Sequence, residues 1–252
     1  MQMIAQAIQQ SDTYLATLQA MRVVAWRDET TDTVLLRRGP VTLASRCGTN
    51  LPAQRGICVV NPDTSGRFQR TRFYQIMTAA TVAELDLTTP MTPHQKWRNT
   101  LRKAQHGPLR VQHRPFDPVR DAWFLSANIA HQKQRKYKGM PHDVAVKWPP
   151  PDARMAIAFL RGTPVAAMLF LCHDVTVTYQ IGWSGDVGRK HAAHHLLLYE
   201  SAERFANRGY ARLDLGTVDS VNAPGLAQFK YRAGANFRAL GGTWITLPKW
   251  RS

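Results

Sequence analysis

Cysteine is scarce in this chain, and its three cysteines follow no recognisable spacing. Cys47, Cys58 and Cys172 form no CxxC pair and no cysteine–histidine set at metal-ligand spacing. Their odd number argues against a disulfide framework of the kind found in small secreted domains. We therefore expect reduced thiols, a cytoplasmic protein and no metal site.

Long apolar runs are missing as well. The longest one, Val165–Cys172, is far shorter than the roughly 20 residues that a membrane-spanning helix requires. The first residues, Met1–Gln10, lack the basic-then-apolar pattern of a secretory leader. The sequence thus predicts a soluble, unexported protein, and its 252 residues with 44% hydrophobic content are enough to bury a core.

Acidic residues are few compared with basic ones. The chain contains 33 Lys+Arg against 17 Asp+Glu, which gives a formal net charge of +16. Between His94 and Lys147 there are 12 Lys/Arg and 3 Asp (12 − 3 = +9), so more than half of the excess lies in this segment. Such an excess favours polyanions or anionic membrane surfaces as partners. A solvated basic surface with no partner has the same composition and remains an alternative.

Two parts of the basic segment carry candidates for contact with phosphate groups. A helix predicted after Pro93 places Trp97, Leu101 and Ala104 on one face, which predicts a core position for Trp97 and leaves basic residues on the other side. A polar loop predicted after a helix at residues 121–131 carries the second group. The candidates are Arg98, Arg102, Lys103, Lys133, Arg135, Lys136 and Lys138.

The common catalytic motifs are also missing, since the sequence has no GxSxG, Walker loop or GxGxxG. What stands out instead is Thr176–Trp244, which reads as strand, polar turn, long helix, strand, loop, helix and strand. Amides at the start of the long helix would favour an anion. The candidates for contact with donor phosphates are therefore Gly188, Arg189, Lys190 and His191, although an ordinary polar turn has the same composition.

Lys230 is the first candidate for catalysis. It lies on a predicted helix between Phe229 and Tyr231, where its ammonium group could stabilise negative charge on an attacked carbonyl. An ordinary surface lysine is the alternative. Tyr231 is a further catalytic candidate.

Two carboxylates lie at the end of the sheet predicted for the second half of the chain. Asp214 or Asp219 could hold or deprotonate an amine nucleophile. As an alternative, Asp214 pairs with Arg212 or caps a loop.

Several segments resemble the FemAB-like branch of the GNAT acyltransferase superfamily. The most specific are Ala211–Gly216 (ARLDLG), Gly225–Gly234 (GLAQFKYRAG) and Gly241–Trp244 (GGTW). Gln95–Ala104, and Ile8–Ser11 with Tyr14, are similar to earlier segments of the same family.

The resemblance implies an α/β (α+β) fold, with a GNAT-like mixed, mostly antiparallel sheet flanked by helices. It implies an abbreviated GNAT-like half at residues 1–115 and an acyltransferase half at residues 116–252. The family's Phe-Lys pair maps onto Phe229 and Lys230. This mapping places Phe229 against the donor and assigns Lys230 to stabilise the tetrahedral intermediate.

The implied activity is transfer of an aminoacyl or acyl group to a primary amine, with no tightly bound cofactor. The donor would be aminoacyl-tRNA, acyl-CoA or an acyl carrier protein. The turn Gly188–Ala193 departs from the family's CoA motif, which together with the charge favours tRNA. The alternative is a non-catalytic module of the same fold that binds nucleic acid or anionic lipid through its basic face.

Overall fold

The computed structural model describes residues 6–49, 56–65, 73–135 and 141–246, with the backbone alone at 134 and 135. The chain divides into two compact units. One contains Gln6–Val82 and the chain from Phe237 onward, and the other contains Ala83–Asn236. The predicted halves, 1–115 and 116–252, are defined by the family resemblance, whereas these two units are defined by contacts within the structure. The halves therefore stay a prediction.

The unit that contains Gln6–Val82 is built on a six-stranded sheet within the described residues. A 3-10 turn (Ile8–Gln10) and α1 (Asp12–Ala20) precede the sheet, and the Ser11 side chain caps α1 by accepting a hydrogen bond from the backbone N of Tyr14. The strands are β1 (Ala25–Asp28), β2 (Thr33–Arg38), β3 (Val41–Cys47), β4 (Ile57–Pro62), β5 (Phe73–Met77) and β13 (Thr243–Thr246). Their order in the sheet is β1-β2-β3-β4-β13-β5.

The other sheet has seven strands in the described chain. Its strands are β6 (Thr81–Asp86), β7 (Arg110–Pro115), β8 (Ala153–Leu160), β9 (Thr163–His173), β10 (Thr176–Ser184), β11 (Arg212–Val218) and β12 (Asn236–Ala239). Its helices are α2 (Gln95–Gln105), α3 (Ala122–Arg135), α4 (His142–Lys147), α5 (Asp186–Lys190), α6 (Ala193–Ala206) and α7 (Pro224–Arg232). The strand order is β12-β6-β11-β10-β9-β8-β7. The mixed, mostly antiparallel sheet flanked by helices confirms the predicted fold class.

The apolar faces of α2 and α6 pack on this sheet and belong to its core together with side chains of the strands. Trp97, Leu101 and Ala104 are buried on α2 at the predicted i, i+4, i+7 spacing. Ala202 and Phe205 on α6 belong to the same core cluster. Each large apolar side chain buried in this way stabilises the fold by roughly 1.5–3 kcal/mol. Trp97 is thus a core residue, as the sequence predicts.

The strands β10 and β11 are parallel, and their pairing is short. Thr176–Thr178 lie opposite Arg212–Asp214, and within the described chain the ladder between the two strands ends there. β10 continues to Ser184 with β9 as its antiparallel partner. We call the place where the β10–β11 ladder ends, after Thr178 and Asp214, the fork.

Two sequence-based expectations about local structure are wrong. The segment with Lys133 and Arg135 is helical, because α3 continues to Arg135, while Lys136 and Lys138 lie outside the described residues. The predicted polar turn Gly185–Lys190 is largely the short helix α5, and Ala192 at φ 52° separates it from α6. A helix does not continue through a left-handed residue, so the predicted long helix begins after Ala192, as α6, and the predicted turn before it forms a separate short helix.

In the described ranges, none of the helices combines the length and the apolar character that crossing a bilayer would require.

Candidate functional site

Lys230 lies on the buried side of α7. This helix begins with Pro224 at its first turn, a position where proline costs no hydrogen bond. Ala227 and Lys230 follow three residues apart and are both buried. The Lys230 side chain reaches the end of β11, where Nζ donates a 2.7 Å hydrogen bond to the carbonyl oxygen of Thr217. With only 4% of its surface exposed, Lys230 is not an ordinary surface lysine.

Burial changes the acid–base chemistry of Lys230. It lowers the pKa of the ammonium group to about 8, because loss of water disfavours the charged form, and the negative charge of Asp214 acts in the opposite direction. Lys230 therefore remains mostly protonated at neutral pH but loses its charge in mildly alkaline solution.

Asp214 is the last residue of β11 that pairs with β10, and it therefore lies at the fork. It is 1% exposed, and its Oδ1 accepts a 2.7 Å hydrogen bond from the backbone N of Gly216. Gly216 has φ 76°, a left-handed conformation that favours glycine. Arg212 pairs with Glu84 of β6 at 3.7 Å. The charge of Asp214 acts on the ammonium of Lys230, so these two buried groups lie near each other at one end of β11.

Asp219 is placed differently, in the exposed loop between β11 and α7. Its carboxylate accepts hydrogen bonds from the backbone N atoms of Val221 and Asn222 and from the side-chain amide of Asn222. These bonds, the Asn222 backbone N–H first, hold the pKa of Asp219 below its usual value. The carboxylate therefore organises the loop that leads into α7.

Phe229 faces the core together with two aromatic rings. Its ring centroid lies 5.1 Å from that of His195 and 6.3 Å from that of Trp97. Burial lowers the pKa of His195 to about 4, with the neighbouring His194 acting in the same direction. His195 is consequently a neutral packing residue at physiological pH.

Tyr231 follows Lys230 in the chain but lies on the outside of α7. It is 53% exposed, and its ring centroid is 4.6 Å from that of His94, the residue before α2. The helix thus presents Lys230 inward and Tyr231 to the solvent.

The candidates for donor phosphates lie in and just after α5. The backbone N atoms of Arg189 and His191 bond to the carbonyls of Gly185 and Val187 within the helix. The Arg189 guanidinium donates to Asp186 and to the Ser184 carbonyl, while Lys190 is exposed. The amides of Arg189 and His191 are thus engaged in the helix, and the remaining cations are on the surface.

Gly188 has a packing role that the sequence does not reveal. A Cβ at this position would lie 2.3 Å from the Val165 carbonyl oxygen and 2.6 Å from Ser184 Oγ. Only glycine allows α5 to approach β9 so closely.

The basic candidates fall on two helices. Arg98, Arg102 and Lys103 are exposed on the outer face of α2, and Lys133 is exposed on α3. In the described part of the chain, no group of histidine, cysteine and acidic side chains could hold a metal ion.

Sequence reasoning missed the Thr217 carbonyl as the partner of Lys230. A backbone oxygen carries no residue-type signal, and only the position of β11 relative to α7 reveals it. Only the structure shows that His195 packs against Phe229.

Comparison with known proteins places the chain in a family. Residues 94–231, more than half of the chain, match the family model of the Acetyltransferase (GNAT) domain. A search of curated protein sequences found no match.

Solved structures with a similar fold include the crystal structure of FemX, at 11% identity and a TM-score of 0.72 over 98% of this chain and 97% of that one. L-PGS from Bacillus licheniformis matches at 14% identity and a TM-score of 0.62 over 95% of this chain and 87% of that one. The C-terminal domain of a putative lysylphosphatidylglycerol synthetase from Agrobacterium fabrum matches at 12% identity and a TM-score of 0.62, covering 96% and 90%. The family match and the shared fold lead to one conclusion: the chain belongs to the GNAT family, has a fold similar to that of FemX, and is an acyltransferase.

Proposed function

We propose that this acyltransferase transfers an aminoacyl group from aminoacyl-tRNA to a primary amine, with Lys230 stabilising the transition state. The observation that carries the proposal is the buried ammonium group that Thr217 holds at the end of β11. A fixed charge in a site from which water is excluded stabilises a developing oxyanion far more than the same charge in water.

The reaction needs no group beyond the two substrates. The amine nitrogen forms a C–N bond to the ester carbonyl carbon, and the carbonyl oxygen becomes negatively charged. When the C–O bond to the ribose breaks, the proton lost by the amine ends on the departing ribose hydroxyl. In this step Lys230 would face the negative oxygen of the tetrahedral intermediate.

Asp214 supports this chemistry through Lys230. Its negative charge raises the pKa of the ammonium against the effect of burial, so it keeps Lys230 charged near neutral pH. We assign Asp214 as a positioning residue, which is a narrower role than holding or deprotonating the amine. Asp219 would shape the loop before α7, because its oxygens accept hydrogen bonds from that loop.

The tRNA donor is supported by the charge of α2. The helix contains no acidic residue, and its outer face exposes Arg98, Arg102 and Lys103. Such a face attracts a polyphosphate backbone, and the binding weakens as salt is added. Acyl-CoA and an acyl carrier protein are the alternative donors, and the exposed Arg189 and Lys190 at the end of α5 are the groups that would favour them.

Titrations with aminoacyl-tRNA, uncharged tRNA and CoA test the donor. We expect the triple variant Arg98→Ala, Arg102→Ala, Lys103→Ala to weaken tRNA binding at least 10-fold and to lower its salt dependence. The matched control replaces Arg37 and Arg38, two exposed arginines on β2, and should bind tRNA like the wild type. Submicromolar CoA binding that disappears on replacement of Arg189 and Lys190 would contradict the tRNA donor.

A further inference from the structure

The start of α2 and the end of α7 form a small exposed surface beside Lys230. The backbone N of His94 donates a 2.9 Å hydrogen bond to the carbonyl oxygen of Arg232, which joins the two helices. Above this bond the rings of His94 and Tyr231 lie 4.6 Å apart with an interplanar angle of 54°. The hydroxyphenyl ring of Tyr231 is therefore held in place at the surface although more than half of the residue is exposed.

The start of α2, next to this ring, is basic. Arg98 is exposed and lies one turn after His94 on the same side of the helix, and α2 contains no acidic side chain. The Arg98 guanidinium donates a hydrogen bond to the side chain of Gln95, which keeps the cation at the start of the helix. We call the surface formed by His94, Arg98 and Tyr231 the α2–α7 edge.

An exposed aromatic ring with cations beside it is the usual arrangement for single-stranded nucleic acid. Bases stack on the ring, and the cations contact the phosphates of the same strand. An ordinary surface tyrosine has neither a supporting ring nor a helix start rich in cations next to it. The combination therefore indicates a binding surface for a nucleotide.

We propose that the α2–α7 edge binds the single-stranded 3′ end of an RNA donor, with the terminal base stacked on Tyr231 and a preceding phosphate on Arg98. The inference rests on the proposed function, because it assigns a subsite of the same aminoacyl-tRNA donor. It gives Tyr231 a role in binding the donor and leaves the chemical step to Lys230.

The covalent structure of the donor explains why this surface fits RNA better than CoA. In aminoacyl-tRNA the ribose that carries the acyl group also carries the terminal base, so a single sugar separates the ester carbonyl from that base. In acyl-CoA the pantetheine arm and a pyrophosphate lie between the thioester and the adenine. Lys230 and Tyr231 are neighbours in α7, and their side chains leave the helix about 100° apart. A donor whose carbonyl contacts Lys230 and whose base stacks on Tyr231 must therefore have a short link between the two groups, as aminoacyl-tRNA does.

Binding of a small RNA tests the proposal directly. The probe is an uncharged acceptor-stem minihelix that ends in single-stranded CCA, compared with the same RNA whose last nucleotide lacks its base. For the wild type we expect the abasic RNA to bind about 5- to 100-fold more weakly, which is the range of one base–aromatic stack. Tyr231→Ala should bind the complete RNA more weakly than the wild type does, by the same factor. This variant should bind the abasic RNA no more weakly than it binds the complete RNA.

Two variants complete the design. Tyr231→Phe keeps the ring and should bind both RNAs like the wild type. Tyr74→Ala removes an equally exposed tyrosine from β5 and should leave both affinities unchanged. Circular dichroism of each variant verifies that the fold is retained.

The inference is overturned if Tyr231→Ala keeps the wild-type affinity for both RNAs, or if it lowers the affinity for both RNAs by the same factor. It is also overturned if Tyr231 affects binding of CoA and not of RNA. Lys230→Met separates this inference from the proposed function, because it should slow transfer by about 10²- to 10³-fold and keep the difference between the two RNAs. A Lys230→Met enzyme that remains active would contradict the role of Lys230 and leave the stacking measurement valid.

Discussion

The Nζ atom of Lys230 donates a 2.7 Å hydrogen bond to the carbonyl oxygen of Thr217, and this bond anchors the one buried lysine among the described residues to the end of β11. A lysine side chain has several rotatable bonds and would otherwise sample many positions. The anchored ammonium is already in position before substrate binds, so no reorganisation is needed when negative charge develops.

Removal of the Lys230 charge should affect catalysis more than binding. For Lys230→Met we expect kcat to fall by about 10²- to 10³-fold, the cost of losing one donor to an oxyanion. The affinity for the RNA donor should change little, because the charge is needed mainly in the transition state. Single-turnover transfer measured beside RNA titrations checks this, and a variant with wild-type kcat would rule out the role.

The same substitution should change the pH dependence of stability. The folded-state pKa of Lys230 is about 8, below the ordinary value of 10.5, so the folded protein binds the proton less tightly than the unfolded chain. Below pH 8, burial of Lys230 therefore lowers the free energy of unfolding by its full amount. This loss disappears as the pH rises towards 10.5. Relative to Lys230→Met, the wild type should gain on the order of 2 kcal/mol in free energy of unfolding between pH 7 and pH 10. Urea unfolding at both pH values measures it; a constant difference would contradict the lowered pKa.

Asp214 should set the alkaline limit of activity. Because the ammonium is the active form, transfer should decline as the pH rises through the pKa of Lys230. Asp214→Asn keeps a hydrogen-bond acceptor for Gly216 but removes the charge that raises this pKa, so the decline should move to lower pH. Profiles of kcat against pH test the shift. Asp219→Asn is the matched control, since Asp219 is exposed and bonded within its own loop, and its profile should follow the wild type.

His195 should make the fold sensitive to acid. Its folded-state pKa of about 4 lies below the ordinary value of 6.5, so between these values the unfolded chain binds a proton that the folded protein does not. Stability is complete above pH 6.5 and falls as the pH decreases towards 4. Relative to wild type, His195→Phe should gain on the order of 1 kcal/mol at pH 5.5 compared with pH 7.5. At pH 7.5 both side chains are neutral, so that measurement isolates any packing change; no gain at pH 5.5 would contradict the prediction.

Gly188 should be required for packing. In Gly188→Ala the new Cβ would overlap the backbone oxygen of Val165, and overpacking of this kind costs about 1–3 kcal/mol. Gly225→Ala on α7 is the control, because nothing lies within 4 Å of its Cβ position, and alanine there should be neutral or slightly stabilising. Thermal unfolding distinguishes the two. Equal stabilities would mean that α5 can move away from β9.

The periodicity of apolar residues predicted elements that bury one face. The α2 face with Trp97 and Leu101 was predictable because apolar spacing directly reflects a buried side. β3 and β6 were not predicted, although both are strands of four or more residues. The short helix α5 was also missed, since two glycines within six residues indicate a turn by local propensity alone.

Part of the candidate site was predictable and part was not. The Phe-Lys pair could be identified from its motif, and the basic face of α2 followed from helical spacing. The inward position of Lys230 and the outward position of Tyr231 could not be separated, because both follow from how α7 packs and not from the order of the two residues. The engagement of Asp219 with its own loop depends likewise on backbone geometry.

The sequence by itself determined the basic character, which depends on composition, and the family resemblance, which depends on residue types at particular positions; the fold class followed from that resemblance. Only the tertiary structure decided that the pairing of β10 and β11 ends after Thr178 and Asp214, that Thr217 holds Lys230, and that the Lys230 pKa falls to about 8. The physical reason is that desolvation and hydrogen bonding at this site come from elements that are distant in sequence, and no local pattern records which of them will meet.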